Sequence, residues 1–564
     1  MYRPFRWLAA AAILTAGCAT TPQDLPPDSA PNGSAAVQID TDDTEHADAD
    51  AITADVLVYG SSSGGIGAAV GAARQGLDVI LVDQYGRIGG MATNGVTSDL
   101  FDPDAATGLY EEFRAEVAAI YATRDTDDSR VRDGLFAEPE VALAAIETLV
   151  AAEERIDLWE QWWLDDQQGA PVVVDGDRIE GIVVTDGDDT ARIDAPVVVD
   201  ASVVGDVLGF AGAEDVDWQV GREDADAYGE QYAPEQADNL IQAYNYRMTF
   251  QVEGRTDYEL PDTWEEDRRR FDEMPRERND TWNCTYEVAG EEKEYNNIRI
   301  QRCLPDGKMD INIDLVGFNH DYPTASRERR LEIEERLRDF GINWLHYVRT
   351  ELGHEELGLS TDDYRDTDGM PPVLYVREAR RLIGEFTFTE HDAIRVGDRY
   401  EHRTPLHPTS VTIGDYGLDS HRVGPVGTVS GDQRDSFGGF WQASNPYQVP
   451  FEVMVARRFD NLLVPVAVSA SKVGYSTLRM EPVRMNLGFA AGLAALQLLD
   501  GTATDVRTID VRALQQQLLD RRQAVVFYLG LDQDADTFAE EQLAILDGQV
   551  ELPAEYQPPD GSPP

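Results

Sequence analysis

Lysine and cysteine are both scarce in this chain of 564 residues. Only three of its 47 basic residues are lysine, and 105 acidic residues leave a net charge of −58. So acidic a surface repels phosphate backbones, which argues against nucleic acid as a partner. Apolar residues make up 42% of the chain and charged residues 27%, the composition of a soluble globular protein. Collagen-like, coiled-coil and wholly disordered chains are therefore excluded.

The N-terminus predicts export from the cytoplasm. Arg3 and Arg6 precede an apolar run at 7–14, which is far shorter than the ~18 residues that a membrane-spanning helix needs. Small residues then lead to Cys18, and the segment resembles a bacterial lipobox. This resemblance implies that residues 1–18 are a lipoprotein signal peptide and that a lipid on Cys18 is the only membrane anchor, on the periplasmic or outer face of the cell envelope. Cleavage nearby without lipidation is the alternative.

The two remaining cysteines, Cys284 and Cys303, form an even pair with no Cys-x-x-Cys motif. In the oxidising compartment that export implies, we expect them to form a disulfide bond. Two free thiols are the alternative, and neither cysteine has the pattern of a catalytic group.

A nucleotide-binding pattern begins just after residue 55. Val56–Tyr59 is an apolar run typical of a buried parallel strand, and a glycine-rich turn at 60–67 leads from it into a helix. A second apolar strand then ends at Asp83, 23 residues after Gly60. This order of strand, glycine turn, helix and acid-terminated strand is that of a dinucleotide-binding fingerprint.

Each position of this fingerprint has a physical task. Gly60 permits the tight turn, Ser62 replaces the usual middle glycine with another small residue, and Gly65 lets the helix lie close to the strand. The start of the helix, which includes Gly64, presents unpaired N–H groups and a positive dipole end to a pyrophosphate. Asp83 can accept hydrogen bonds from the ribose hydroxyls of an adenosine. All five residues are predicted to bind the cofactor.

A second glycine turn distinguishes between possible cofactors. It contains Gly89, Gly90 and Met91, and here the sequence resembles the FAD-dependent oxidoreductases of the glutathione-reductase-like superfamily. In these relatives a Gly-Gly segment lines the flavin, so the three residues are predicted to contact FAD. Relatives that attach FAD covalently carry a histidine in this segment, and its absence here predicts non-covalent FAD. NAD-dependent hydride transfer at the same fingerprint is disfavoured by this turn.

The next matching block follows a predicted β-meander. Residues 171–200 alternate β-branched runs with Asp-Gly turns, which is typical of antiparallel hairpins. After them, Asp200, Gly205 and Asp206 resemble a strand-to-turn segment of the family. The resemblance implies that these three residues also contact the cofactor.

The C-terminal block is the most specific part of the resemblance. A short apolar strand at 461–464 is followed by Ser471 and by an Arg-Met-Glu-Pro sequence that opens a helix at Pro482. Small residues, including Gly488, allow this helix to pack closely. In relatives its N-terminus points at the flavin pyrimidine ring, where the positive dipole end stabilises reduced flavin. Ser471, Pro482 and Gly488 are therefore predicted cofactor contacts.

Two other matching blocks supply candidate catalytic groups. Arg377 opens an Arg-Glu-Ala-Arg-Arg run, for which a solvated helix face is the alternative, and His421 ends a strand of the family's Gly-x-Tyr-x-x-Asp-x-His type. His421 is the candidate proton carrier, with a core or surface role as the alternative, and Tyr416 and Asp419 lie on the same predicted strand. Strand alternation places Tyr416 on the face opposite Asp419 and His421. Arg377, Arg381 and Arg479 are candidates to hold a carboxylate or oxyanion, with structural ion pairs as the alternative for each.

Together these blocks predict an α/β chain. Its Rossmann-like FAD-binding domain has a mostly parallel sheet and a β-meander, and an α+β cap is inserted in it. The predicted segments are a disordered tether at 19–53, a discontinuous FAD-binding domain at 54–215 and 450–500, a cap or substrate domain at 216–449, and a C-terminal helix (513–527) with a Pro-rich tail at 501–564. The cap carries no second fingerprint, so the flavin is expected to meet a small organic substrate directly.

Two functions follow from this organisation. The first is an envelope-associated FAD-dependent oxidoreductase that transfers hydride between a small organic substrate and flavin N5, with a quinone, a carrier protein or oxygen as electron acceptor. The second is a surface-tethered binding protein on an FAD fold that has lost catalysis. No metal site is predicted, because His402 and His407 lack a recognised ligand spacing.

Overall fold

The computed structural model describes residues 51–96, 100, 105–124, 131, 134–167, 169–274, 283–394, 404–425, 438–444, 446–527 and 531–550. Its strands are β1 Ile52–Thr53, β2 Val56–Tyr59, β3 Val79–Asp83, β4 Ile156–Glu160, β5 Trp163–Leu164, β6 Val172–Asp175, β7 Arg178–Thr185, β8 Thr190–Asp194, β9 Val197–Asp200, β10 Trp218–Gln219, β11 Met248–Val252, β12 Cys284–Val288, β13 Glu291–Tyr295, β14 Ile300–Cys303, β15 Lys308–Ile311, β16 Leu357–Leu359, β17 Arg381–Leu382, β18 Ser410–Gly414, β19 Leu418–Ser420, β20 Phe440–Gln442, β21 Tyr447–Pro450 and β22 Leu462–Leu463. Its helices are α1 Ser63–Ala73, α2 Gly108–Thr123, α3 Pro139–Ala151, α4 Asp206–Ala211, α5 Ala225–Tyr228, α6 Trp264–Glu273, α7 Arg327–Thr350, α8 Glu390–Ala393, α9 Lys472–Leu478, α10 Glu481–Leu499, α11 Val511–Leu519 and α12 Phe538–Leu546. The predicted signal peptide with Cys18 lies outside the described residues.

The central sheet has five parallel strands in the order β22-β9-β2-β3-β4. Strands β2, β3 and β9 are buried along their whole length, as their continuous β-branched runs require. Strand β22 pairs with β9, so a segment near residue 460 completes a sheet begun near residue 56. The predicted α/β fold class with a parallel sheet is confirmed. Residues Ala49–Pro564 form one compact unit, and the division into FAD-binding and cap domains stays a prediction.

Helices α1 and α10 pack on each other through glycines. A Cβ added to Gly488 would lie 1.8 Å from the carbonyl oxygen of Gly64, and one added to Gly492 would lie 2.2 Å from that of Ala68. The two helices therefore run in the same direction with their backbones in contact. Any larger residue at these positions would force the helices apart.

The meander differs in part from its prediction. Strands β6, β7 and β8 form the antiparallel hairpins, and β1 adds to β8 in parallel. The predicted third strand, Val197–Asp200, instead belongs to the parallel sheet as β9, because it is buried on both faces. Ile52 and Thr53, assigned to the tether, are strand residues. The sequence analysis did not predict β8, in which Ala191 and Ile193 alternate with three polar residues.

The part of the chain between β9 and β22 contains an antiparallel sheet in the order β14-β15-β11-β16, with α6 and α7 packed together beside it. Near the C-terminus, the helix predicted at 513–527 ends at Leu519, and a further helix, α12, follows it. Arg522 has a φ of +62°, which is incompatible with a continuing helix. None of the helices in the described part of the chain combines the length and apolar character that crossing a bilayer requires.

Cys284 and Cys303 form a disulfide bond that joins β12 to β14, as predicted. We expect the double variant Cys284→Ala/Cys303→Ala to lose about 3 kcal/mol in its free energy of unfolding, since the unfolded chain gains the entropy of an open loop. Urea unfolding of the variant beside the oxidised parent measures this loss. Equal midpoints for the two proteins would contradict it.

Candidate active site

The glycine turn after β2 brings three segments into contact. Gly60 has a φ of +100°, and a Cβ there would lie 2.5 Å from the backbone nitrogen of Ser202. A Cβ on Gly65 would lie 1.9 Å from the Gly60 carbonyl oxygen, so α1 begins directly against the strand. Ser62 caps α1 by accepting from the Gly65 N–H, and its hydroxyl donates to the Ala201 carbonyl oxygen 2.7 Å away. The other N–H groups of the first turn have no partner within the helix and are available to a ligand.

The second glycine turn lies against the first. Gly89 donates its N–H to the carbonyl oxygen of Ser61 at 2.7 Å, and a Cβ on Gly90 would lie 2.9 Å from the Cα of Ser62. A 3-10 turn at Gly90–Thr93 then buries the Met91 side chain. The sequence analysis predicted that residues of both glycine turns bind one cofactor, and in the structure the two turns are in direct contact.

Asp83 is the link between the two turns. Its buried carboxylate accepts hydrogen bonds from the Ser61 hydroxyl and from the backbone N–H groups of Tyr85 and Gly86. Burial raises the pKa of Asp83. These three hydrogen bonds leave one of about four lone-pair positions on the carboxylate for a ribose hydroxyl.

The N-termini of α1 and α10 lie side by side. Ser63, the first residue of α1, donates to the carboxylate of Glu481, the first residue of α10, at 2.5 Å. Pro482 lies in the first turn of α10, as predicted. Because the helices are parallel, both positive dipole ends face the same side of the sheet, where anionic or electron-rich groups are stabilised.

Asp200 and Asp206 have partners within the protein. Asp200 accepts from the Leu208 N–H at 2.8 Å, and burial raises its pKa to about 6. Asp206 forms ion pairs with Arg330 at 2.8 Å and Arg380 at 3.2 Å. Burial opposes the charged form of Asp206, but the two arginines outweigh it and lower its pKa. Both residues hold the β9–α4 turn, and their predicted contact with the cofactor stays a prediction.

Gly205 and Ser471 stand at helix starts. Gly205 precedes α4 with a φ of +65°. Ser471 caps α9 by accepting from the Gly474 N–H at 2.9 Å, and it donates to Glu230. These contacts place Ser471 beside a carboxylate of the middle segment rather than against the glycine turns, and its role as a cofactor contact also stays a prediction.

The predicted catalytic arginines meet around one tyrosine. The guanidinium carbon of Arg377 lies 4.4 Å from the centre of the Tyr375 ring, and Arg479 donates to the Tyr375 hydroxyl at 2.7 Å. Tyr375 shares a buried apolar cluster with Met91 of the second glycine turn. This tyrosine therefore connects the candidate catalytic groups to the predicted flavin segment.

His421 is held on one side by an aspartate that sequence analysis missed. Its Nδ1 lies 2.6 Å from the Asp314 carboxylate, and its Nε2 lies 3.8 Å from that of Asp419. Burial and the Arg377 cation lower the pKa of His421, with the two carboxylates acting in the opposite sense. The imidazole is therefore neutral at pH 7. An Nδ1–H donated to Asp314 leaves the Nε2 lone pair to accept a proton.

Tyr416 joins the same network. Its hydroxyl donates to Asp419 at 3.4 Å, and Arg479 donates to the same carboxylate at 3.2 Å. The predicted separation of Tyr416 from Asp419 and His421 on opposite faces of a strand is wrong. Tyr416 lies in the bend between β18 and β19, so strand alternation does not apply to it.

The Arg377 block is buried and does not form a helix. Arg381 lies in β17, which pairs with β10, and both Arg377 and Arg381 are at most 1% exposed. The alternative of a solvated helix face is wrong. Each guanidinium has an acidic partner, with Arg377 3.0 Å from Asp314 and Arg381 2.6 Å from Glu223, so the alternative of structural ion pairs describes what the structure shows.

Lys472 is a buried cation close to this network. Its ammonium contacts the Ser420 hydroxyl and lies 4.9 Å from the centre of the Phe440 ring. Burial lowers the pKa of Lys472 to about 8. In the described part of the chain, no cluster of three or more His, Cys, Asp or Glu side chains is arranged to hold a metal ion.

We expect Lys472 to make the free energy of unfolding increase with pH in the alkaline range. Between pH 8 and the ordinary lysine value of 10.5 the unfolded chain binds more protons than the folded one, so unfolding becomes harder as pH rises. The free energy of unfolding should gain about 2 kcal/mol in the parent relative to Lys472→Met between pH 7.5 and 10. Urea unfolding at both pH values measures it, and a difference that does not vary with pH would contradict it.

A family model described as FAD dependent oxidoreductase matches residues 55–518, which include both glycine turns and α10. The chain belongs to this family. It is an FAD-dependent oxidoreductase, and its cofactor is FAD. The residues present fit that group, because the two glycine turns lie against each other too closely for a Cβ, and the N-termini of α1 and α10 lie side by side next to the first turn. No curated protein matches the oxidoreductase chain.

Solved structures give weaker likenesses to this FAD-dependent oxidoreductase. A geranylgeranyl bacteriochlorophyll reductase-like protein from Thermoplasma acidophilum is 9% identical over 88% of this chain and 87% of its own, with a TM-score of 0.31. L-proline dehydrogenase from P. horikoshii is 19% identical over 30% of this chain and 24% of its own, with a TM-score of 0.17. The match thus spans about a quarter of that dehydrogenase. T. acidophilum thioredoxin reductase is 17% identical over 27% of this chain and 35% of its own, with a TM-score of 0.16.

Proposed function

We propose that this FAD-dependent oxidoreductase transfers hydride between a small organic substrate and non-covalently bound FAD. The observation that carries the proposal is the buried apolar cluster that Tyr375 shares with Met91, which supports a site where His421, Arg377 and Arg479 act beside the second glycine turn. When bound, FAD supplies the two-electron centre of the reaction, taking up or releasing hydride at N5. The electron acceptor is a quinone, a carrier protein or oxygen.

The cofactor would lie across the two glycine turns. The turn at 60–65 and the start of α1 would hold the pyrophosphate, Asp83 a ribose hydroxyl, and residues 89–91 with the start of α10 the flavin. No histidine lies in the segment from 86 to 95, which supports non-covalent attachment.

His421 acts as the acid–base residue of this reaction. Asp314 fixes its Nδ1, so Nε2 takes a proton from the substrate or returns it. Asp419 receives hydrogen bonds from Arg479 and Tyr416 and keeps these side chains in place around the imidazole.

Absorption spectroscopy of the purified protein tests this function. We expect flavin bands, release of intact FAD on acid precipitation, and loss of the 450 nm band when a substrate is added without oxygen. Sugars, hydroxy acids and amines form the first screen, and re-oxidation by a soluble quinone or by air then identifies the acceptor. A colourless protein that cannot be reconstituted with FAD would instead favour the binding-protein alternative.

We place the enzyme in the cell envelope as a lipoprotein anchored through Cys18. The disulfide between Cys284 and Cys303 supports an oxidising compartment. Mass spectrometry of the N-terminal peptide from membranes tests the anchor, with a diacylglycerol adduct on Cys18 expected. An unmodified N-terminus in the soluble fraction would overturn it.

A further inference from the structure

The cations around Tyr375 are all neutralised within the protein. Three guanidinium groups lie within 6 Å of the centre of its ring, and each is paired with an aspartate of its own. A buried cation without a partner is what a site needs to hold an anionic substrate, since an unpaired charge is costly in the interior. None of these three is unpaired. The pairs are Arg377–Asp314, Arg479–Asp419 and Arg247–Asp310.

The Tyr375 hydroxyl, in contrast, keeps its proton free. Its oxygen accepts from Arg479 at 2.7 Å, and among the described residues no other group hydrogen-bonds to it. The phenolic proton therefore lacks an acceptor, although the side chain is only 6% exposed. A buried donor without an acceptor is unfavourable until a ligand supplies one. Because the ring shares a buried apolar cluster with Met91, that ligand would lie beside the predicted flavin segment.

His421 offers the complementary group. Its side chain is 21% exposed, Nδ1 is held by Asp314, and the pKa of the ring is lowered, so Nε2 is a neutral acceptor. Arg479 bridges the Tyr375 hydroxyl, at 2.7 Å, and the Asp419 carboxylate, at 3.2 Å, and Nε2 of His421 lies 3.8 Å from the same carboxylate. The donor and the acceptor therefore border the same cluster of charged side chains. A hydroxyl group matches both, since it accepts one hydrogen bond and donates another.

On the basis of the proposed function, we infer that the substrate is a neutral alcohol oxidised at the hydroxyl-bearing carbon, and that Tyr375 is a catalytic residue that donates a hydrogen bond to the substrate oxygen. The hydroxyl proton passes to Nε2 of His421. The C–H bond would break with its two electrons leaving as hydride, which bound FAD would accept, and the C–O single bond would become a carbonyl. As the oxygen gains negative charge, the hydrogen bond from Tyr375 strengthens. An ammonium group has no lone pair to accept that bond, and a carboxylate finds no unpaired guanidinium around the Tyr375 ring.

Matched probes in the FAD-loaded enzyme test the inference. Two series differ in charge on a shared skeleton: cyclohexanol, cyclohexanecarboxylate and cyclohexylamine, and D-glucose, D-glucuronate and D-glucosamine. Dissociation constants come from the change in flavin absorbance under anaerobic conditions. We expect the neutral member of at least one series to bind tenfold or more tightly than both charged members. Tighter binding of a charged member in both series, or no binding by any probe, would overturn the inference.

The variant Tyr375→Phe tests the role of the hydroxyl. We expect the FAD content to be unchanged, the affinity for the neutral probe to fall about tenfold, and flavin reduction by that probe to slow about 100-fold. Tyr258→Phe, at a hydroxyl that contacts His346, is the matched control and should change neither. An equal loss of affinity for all probes in Tyr375→Phe would show a structural role only. A protein that takes up no FAD at all would instead contradict the proposed function, so the two failures are distinguishable.

Discussion

Gly488→Ala should separate α10 from α1 and strip the enzyme of its flavin. The added methyl group would lie 1.8 Å from the Gly64 carbonyl oxygen, and neither backbone can yield without moving a helix. We expect the free energy of unfolding to fall by about 3 kcal/mol. We also expect the ratio of FAD to protein to drop several-fold, since the first turns of both helices shift together. Thermal unfolding and the 450 nm to 280 nm absorbance ratio measure the two effects.

Two further glycine variants isolate the cause. Gly501 follows the same helix, has a φ of +78°, and a Cβ added there would meet nothing within 4 Å. We therefore expect Gly501→Ala to lower the free energy of unfolding by only about 1 kcal/mol and to leave the FAD content unchanged. Gly492→Ala clashes with Ala68 one turn further from the helix start, and it should destabilise the fold with less loss of FAD. Full flavin content and parental stability in Gly488→Ala would refute the close contact of the two helices.

The nucleotide-binding half of the site could be predicted because local sequence determines it. A glycine at position 60 and an acid at position 83 each follow a strand, and helix-strand contact at Gly65 needs no distant information. The resemblance of the C-terminal block supplied the one distant element. In the structure its strand β22 pairs with β9, and its helix α10 packs on α1. Strand β8 was missed because only two apolar residues, Ala191 and Ile193, alternate with its polar ones, which is a weak signal for a strand.

The catalytic half depended on contacts that no local pattern reports. Asp310, Asn312 and Asp314 alternate with isoleucines in one extended segment, so all three side chains project to one side. The structure shows that side facing Arg247, Arg377 and His421. Alternation of polar and apolar residues was the signal that would have found Asp314. The sequence could not show which residues Asp314 faces, because that depends on the pairing of β15 with the distant strand β11.

The Arg377 block shows why charge alone misleads. Five residues with three arginines resemble a solvated helix, yet the run is not helical and all five residues are buried. Its cations enter the interior because acids from distant segments neutralise them, including Asp314 and Glu223. Burial of a charged run thus depends on tertiary partners, which sequence composition does not reveal.

Loss of the His421 imidazole should abolish most of the turnover while leaving the flavin bound. We expect His421→Gln to lower kcat by about 10²–10⁴-fold with unchanged FAD content, because a positioned proton acceptor contributes that much. The ring accepts a proton only when it is neutral. Burial and the Arg377 cation lower the pKa of His421 below the ordinary 6.5. We therefore expect the parent enzyme to remain active at pH values somewhat below 6.5. Stopped-flow reduction by the substrate found in the anaerobic screen measures the rate.

Two charge-removing variants should move the pKa of His421 in opposite directions. The Asp314 carboxylate favours the imidazolium, so Asp314→Asn should lower the pKa and shift the acid limb of the rate profile to lower pH. The Arg377 cation disfavours the imidazolium, so Arg377→Gln should raise the pKa and shift the limb to higher pH. NMR titration of ring-labelled histidine follows the same pKa without any substrate. Shifts of the same sign in both variants would show that the two side chains act through the fold rather than through their charge on His421.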